Sequence, residues 1–99
     1  MLRHIVMWRY KDGLTDSENH ENAEKVKSIL ESLKDSIKEI IEIKVYINTI
    51  TTSNIDIMLD SLFEDEESMA AYKIHPEHLK VVDFIGSVLQ DRVVFDYHV

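Results

Sequence analysis

The stretch Tyr72-Lys73-Ile74-His75-Pro76-Glu77-His78-Leu79 decides how the second half of the chain is read. Pro76 disfavours helical geometry in the residue before it, so a helix arriving through Met69, Ala70 and Tyr72 should end near Ile74 or His75. The same proline suits the first turn of a new helix, where a backbone N–H would have no partner anyway. That second helix should carry Leu79, Val82, Ile85 and Val88 or Leu89 inward. Asp65-Glu66-Glu67 opens the first of the two helices with acid, where the helix dipole favours it.

On either side of this broken helix the apolar period is two. Downstream, Arg92 to Val99 places Val93, Phe95, Tyr97 and Val99 on one face, and Val94, Asp96 and His98 on the other. Upstream, Ile55 to Glu64 sets Ile55, Ile57, Leu59, Ser61 and Phe63 against Asp56, Met58, Asp60, Leu62 and Glu64. Both runs read as strands. Thr49 to Asn54 is a polar loop interrupted by Ile50. Before it, Ile41, Ile43, Val45 and Ile47 alternate with Glu42, Lys44, Tyr46 and Asn48 as another strand. Further upstream, Ala23, Val26, Leu30, Leu33 and Ile37 stand at spacings of three and four, one apolar stripe on a charged helix. Thr15 and Glu18 form a capping-box pair at its start, and Leu14 is placed to act as a hydrophobic staple. Asp12-Gly13 marks a turn. The first strand, Leu2 to Lys11, carries Leu2, His4, Val6, Trp8 and Tyr10 on one face and Arg3, Ile5, Met7 and Arg9 on the other.

The order is therefore β-α-β-β-α-β in one domain spanning residues 1–99. This predicts an α+β, ferredoxin-like antiparallel sheet with helices on one face. Helices cover only one side of such a sheet, and the other should be polar. Ile5, Met7, Met58, Leu62, Phe95 and Tyr97 contradict a wet second face. A second copy packed sheet to sheet would bury them, which predicts a homodimer.

Composition excludes several functions. The chain has 99 residues, no cysteine and a formal net charge of −8, so disulfides and thiolate chemistry are out. Its basic residues are scattered among acids, the pattern of a solvated acidic surface and not of a nucleic-acid interface. Arg3, His4 and Arg9 interrupt the amino terminus too early for a signal peptide, and no apolar run is long enough to span a bilayer. The expectation is a cytoplasmic protein with no nucleic-acid or membrane partner. With glycine only at positions 13 and 86, no phosphate-binding glycine loop is available.

Tyr72 to Leu79 resembles the Tyr-x-x-His-Pro-x-His segment of the stress-responsive α/β-barrel (Dabb) domains. Leu2 to Asp12, Asp56 and Phe95-Asp96-Tyr97 are similar to other parts of that family, so the resemblance covers nearly the whole chain. It implies a dimeric α/β barrel made from two paired sheets. Most members have no known reaction. In one branch, the plant cyclases that form olivetolic acid, the segment's Tyr and second His serve a cofactor-free aldol cyclisation, with a first-strand His nearby. The resemblance places those roles on Tyr72, His78 and His4. This chain departs from that branch by having Asn22, Ala23 and Val26 where the cyclase has bulky aromatics, and Lys80 and Val82 where it has glycines.

The residue types fit a ligand site. Imidazole titrates near neutrality and can act as a base, and a tyrosine hydroxyl can donate to a carbonyl oxygen. Tyr72 and His78 are the expected catalytic pair if chemistry occurs, with His4, His75 and Trp8 as ligand-binding residues. The competing reading gives them to the fold: His75 capping the helix that Pro76 begins, Tyr72 and His78 bonded internally, and Trp8 or Phe84 plugging the cleft. His4, His75 and His78 are candidate metal ligands by residue type, but their spacing matches no compact metal motif, so neither metal nor cofactor is expected. The leading expectation is a stress-associated, dimeric binder of a small apolar carbonyl-containing ligand. The alternatives are a cyclase-like lyase acting by proton abstraction beside a carbonyl, and a cofactor-independent small monooxygenase.

Overall fold

The alternation at the amino terminus forms β1 (Leu2–Tyr10), which becomes the inner rail of the sheet. In this computed structural model, which describes residues 1–99, β1 pairs antiparallel with both β3 (Ile57–Phe63) and β4 (Leu89–His98). The strand β2 (Glu42–Ile47) pairs with β3 and completes the order β2-β3-β1-β4. The register is what the two-residue period requires. Val6 lies opposite Leu59 on one side and Val94 on the other, and Ile5 opposite Asp60 and Phe95.

The helices lie on the face of Val6. The first, α1 (Asp16–Glu31), starts with the expected capping box, since Thr15 Oγ1 accepts from the Glu18 amide and the Glu18 carboxylate from the Thr15 amide. The stripe that reads as one helix to Ile37 is interrupted at Ser32, and a single turn, α2 (Leu33–Ser36), follows. Its apolar positions still point inward: Ala23, Val26, Leu30, Leu33 and Ile37 are all buried. The broken helix is α3 (Glu66–Ile74) and α4 (Pro76–Val88). No helix is long and apolar enough to cross a membrane.

Two differences from the sequence reading concern the site. First, only the carboxyl half of the α4 stripe is in the core. Ile85 and Val88 are buried, whereas Leu79 is 54% and Val82 43% exposed. The amino-terminal half of α4 therefore stands off the sheet. Second, β4 begins at Leu89 and carries a bulge. The register on β1 slips between Met7 and Arg9, and Asp91 sits in the left-handed region at φ 56°. An extra residue there turns the strand and re-aims its neighbours.

The other face of the sheet has no helix. The register puts Ile5, Met7, Met58, Leu62, Phe95 and Tyr97 together on it. Phe95 is 66% exposed, and Tyr46, Val93 and Tyr97 are open as well.

Candidate functional site

Where α4 lifts away from the sheet, a cavity of about 450 Å³ opens, a size typical of small-molecule sites, which run roughly 300–1,000 Å³. His4, Val6 and Trp8 of β1 form its floor, with Leu30 and Leu59 behind them. Tyr72 and Lys73 from the end of α3 and His78 from the first turn of α4 form one side. Leu79, Val82, Ile85 and Gly86 continue the lining from His78 along α4. The bulge of β4 brings Gln90, Asp91 and Arg92 to the remaining edge. The half-exposed leucine and valine of α4 are thus cavity wall, not failed core. Trp8 is buried in the floor and does not plug the space, and Phe84 packs outside it against the core.

The helix break places the polar groups. His75 ends α3 and caps α4: its Nδ1 accepts from the Glu77 amide at 3.1 Å. One turn later, His78 Nδ1 meets the Lys73 carbonyl at 3.0 Å. A carbonyl only accepts, so Nδ1 carries the proton and donates, which leaves Nε2 with the free lone pair. The His78 ring lies over Tyr72, centroid to centroid 4.4 Å and tilted 36°. Tyr72 also touches Phe63 at 5.0 Å and faces His4 at 6.4 Å.

His4 is 2% exposed and is oriented by a partner from the other end of the chain. Its Nδ1 lies 2.5 Å from Asp96 Oδ1. A carboxylate accepts, so Nδ1–H donates, and Nε2 is again the free nitrogen. Two histidines on the cavity therefore share one tautomer, each held from behind by an oxygen. Tyr72 is different. It is 1% exposed, and its buried hydroxyl has no hydrogen-bond partner among the protein's own groups. Buried hydroxyls are nearly always satisfied, so this one stands apart from the two imidazoles beside it.

Electrostatics follow from burial. Loss of water pulls His4 below the usual imidazole value, and the bond to Asp96 only partly restores it. His78 is lowered for the same first reason, opposed by its bond to the Lys73 carbonyl and reinforced by Arg92. Burial pushes Tyr72 up to about 12, with Arg92 acting the other way. At neutral pH the inner site holds two uncharged imidazoles and a protonated phenol.

Of the five residues expected at the site, Tyr72, His78, His4 and Trp8 are brought together, and His75 is not. Its position at the N-cap commits its Nδ1 to the backbone, and it does not line the cavity. Nor do His4, His75 and His78 form a ligand set, because no three histidine or carboxylate groups are close enough to hold one ion. Sequence reasoning missed Asp96 and Arg92. Asp96 was legible in part: it alternates with Phe95 and Tyr97, and its cross-strand neighbour is His4. Arg92 depends on the bulge, which no spacing announced.

These features define a ferredoxin-like α+β domain with a cavity between the helix layer and the sheet. The chain belongs to the stress-responsive A/B barrel domain (Dabb) family, whose pattern matches residues 2–99. A stress-response A/B barrel domain-containing protein of Arabidopsis thaliana, DABB1, is 24% identical over 103 residues. The match covers 98% of this chain and 46% of the relative, so the chain spans about half that protein's length. A dimeric protein of unknown function and ferredoxin-like fold from Bacteroides fragilis superimposes with a TM-score of 0.93 at 26% identity, covering 99% of this chain and 95% of that one. A hydroxynitrile lyase from Passiflora edulis has the same fold, with a TM-score of 0.81 at 18% identity over 99% of this chain and 92% of its own.

Proposed function

We propose that this single-domain chain works as a cytoplasmic homodimer that binds a small apolar molecule bearing a carbonyl group in the cavity beside Tyr72. The observation that carries the reading is the buried, unpartnered Tyr72 hydroxyl on a wall shared with two uncharged imidazoles. A carbonyl oxygen satisfies that donor, and the apolar walls favour an apolar body. The dimer is supported by the apolar second face of the sheet and by the dimeric relative from Bacteroides fragilis.

Trp8 supplies the assay. It is the only tryptophan in the chain and lies in the cavity floor, so its indole N–H is one NMR peak that reports on occupancy. Titration with 2-acetylnaphthalene should move that peak at lower concentration than titration with 2-ethylnaphthalene, which lacks the carbonyl. Tyr72→Phe should erase the difference. A Trp8 peak that neither compound moves would refute the reading.

A catalytic version of the same site rests on one specific feature. The Lys73 carbonyl holds His78 in the tautomer whose Nε2 is a free base. Proton abstraction next to a carbonyl would have His78 Nε2 take the proton while Tyr72 donates to the developing oxyanion. His4, oriented by Asp96, would position the ligand. The hydroxynitrile lyase from Passiflora edulis shows that this fold can carry an enzyme. Loss of turnover in His78→Gln with retained 2-acetylnaphthalene binding would favour catalysis over binding alone.

A further inference from the structure

The entrance of the cavity has a feature the inner groups do not explain. Two cations, Lys73 and Arg92, line it on a chain whose net charge is −8. The ion pairs of the protein engage Arg3, His4, Lys27 and Lys80, and none of them involves Arg92 or Lys73. Arg92 makes no side-chain hydrogen bond either, although Asp91 and Asp96 stand on the same strand. Asp91, its neighbour on the bulge, also lines the cavity but does not pair with it. Asp96, on the same strand face, is engaged with His4. Arg92 is close enough for its charge to act on His4, Tyr72 and His78 alike. A guanidinium with free donors, on a residue that a strand bulge brings to the edge of a largely apolar cavity, has the chemistry of a carboxylate clamp.

We infer that the occupant of the cavity is an organic monoanion: an apolar, carbonyl-bearing body whose carboxylate docks on Arg92 at the entrance. This rests on the reading of the cavity as a small-molecule site and narrows its ligand class. The rest of the site agrees. The inner wall offers no permanent charge, so an anionic group has its partner only at the mouth. Leu79 and Val82 line the same cavity with half-exposed apolar surface, which suits the body of the molecule. Lys73 adds a second positive charge on the α3 side.

The test uses the full chain, the Trp8 indole peak and two probes of one shape: 6-acetyl-2-naphthoate and its uncharged methyl ester. The acid should bind roughly three- to tenfold more tightly than the ester, the scale of one partly exposed charge-assisted contact. Its advantage should shrink as salt rises, while the ester stays constant. Arg92→Gln should abolish the advantage and leave the ester's Kd within about twofold, and Arg92→Lys should keep part of it. An acid no tighter than its ester, or an Arg92→Gln variant that weakens both probes equally, would overturn the inference while leaving the cavity reading intact. A Trp8 peak unmoved by either probe would defeat the cavity reading itself, and the anion assignment with it.

Discussion

Replacing Tyr72 by Phe should stabilise the unliganded protein. A buried tyrosine ordinarily holds a hydrogen bond, and its loss costs about 1–3 kcal/mol. Here the hydroxyl has no partner among the protein's own groups to lose, and the residue is 1% exposed. Removing an unsatisfied buried hydroxyl relieves a desolvation penalty of the same size, about 1–3 kcal/mol. Against this stands the small void left by one oxygen, on the order of 1 kcal/mol at most. The ring itself keeps its contacts with His78 at 4.4 Å and Phe63 at 5.0 Å. The balance is a gain of about 1 kcal/mol, or roughly 4–8 °C in Tm for a domain of this size.

The assay is thermal and urea unfolding of both proteins at one protomer concentration, because the stability of a dimer depends on concentration. The same variant should bind carbonyl ligands roughly two- to tenfold more weakly, the worth of one neutral hydrogen bond. Higher stability with weaker binding is the signature of a group kept for a ligand and not for the fold. A Tm lowered by 4 °C or more, with an unchanged denaturant slope, would show that the hydroxyl has a structural partner and would refute the reasoning.

Other expectations follow from the same geometry. Phe95→Asp puts charge on the β4 side of the uncovered sheet face and should convert a sedimenting dimer to monomer at micromolar concentration; an unchanged dimer would exclude that face as the interface. His75→Ala removes the N-cap of α4 and should cost about 1 kcal/mol in urea unfolding, while His75→Asn should restore most of it and neither variant should alter ligand affinity. Stability should fall as pH drops from 7.5 to 5.5. His4 and His78 titrate below their unfolded value of about 6.5, so the unfolded chain binds more protons in that window. Their contribution is complete above the unfolded value and is lost as pH falls through it toward the folded ones. The urea midpoint should show this, and His78→Gln should flatten the slope.

Much of the fold was legible because burial imposes a period. On β1 and β3 the two-residue alternation separates Val6 and Leu59 from Ile5 and Met58 without ambiguity. The capping box at Thr15 and the break at Pro76 are local chemistry and appear where the residues predict them. The interruption at Ser32 was invisible, because a single turn displaced from α1 still carries Leu33 and Ile37 to the core. The α4 stripe misled for the opposite reason. Periodicity reports which face is apolar and not how far that face stands from its neighbour. Leu79 and Val82 satisfy the pattern of a core helix and yet wall an open space.

The site divides along the same line. Tyr72 and His78 converge because the backbone must reorganise between α3 and α4, and Pro76 states this in the sequence. His75 is the residue the break itself consumes, so the spacing that makes it look like a ligand group is what binds it to the Glu77 amide. Asp96 and Arg92 come from the opposite end of the chain, and their roles need a register. With β1 and β4 in register, Asp96 falls opposite His4 and orients it. Arg92 requires one further step, the bulge at Asp91, which gives β4 an extra residue and carries the guanidinium to the cavity edge. The inner groups were therefore open to a reading of local sequence. The cation at the cavity edge appears only when an irregularity in one strand is laid against its neighbour.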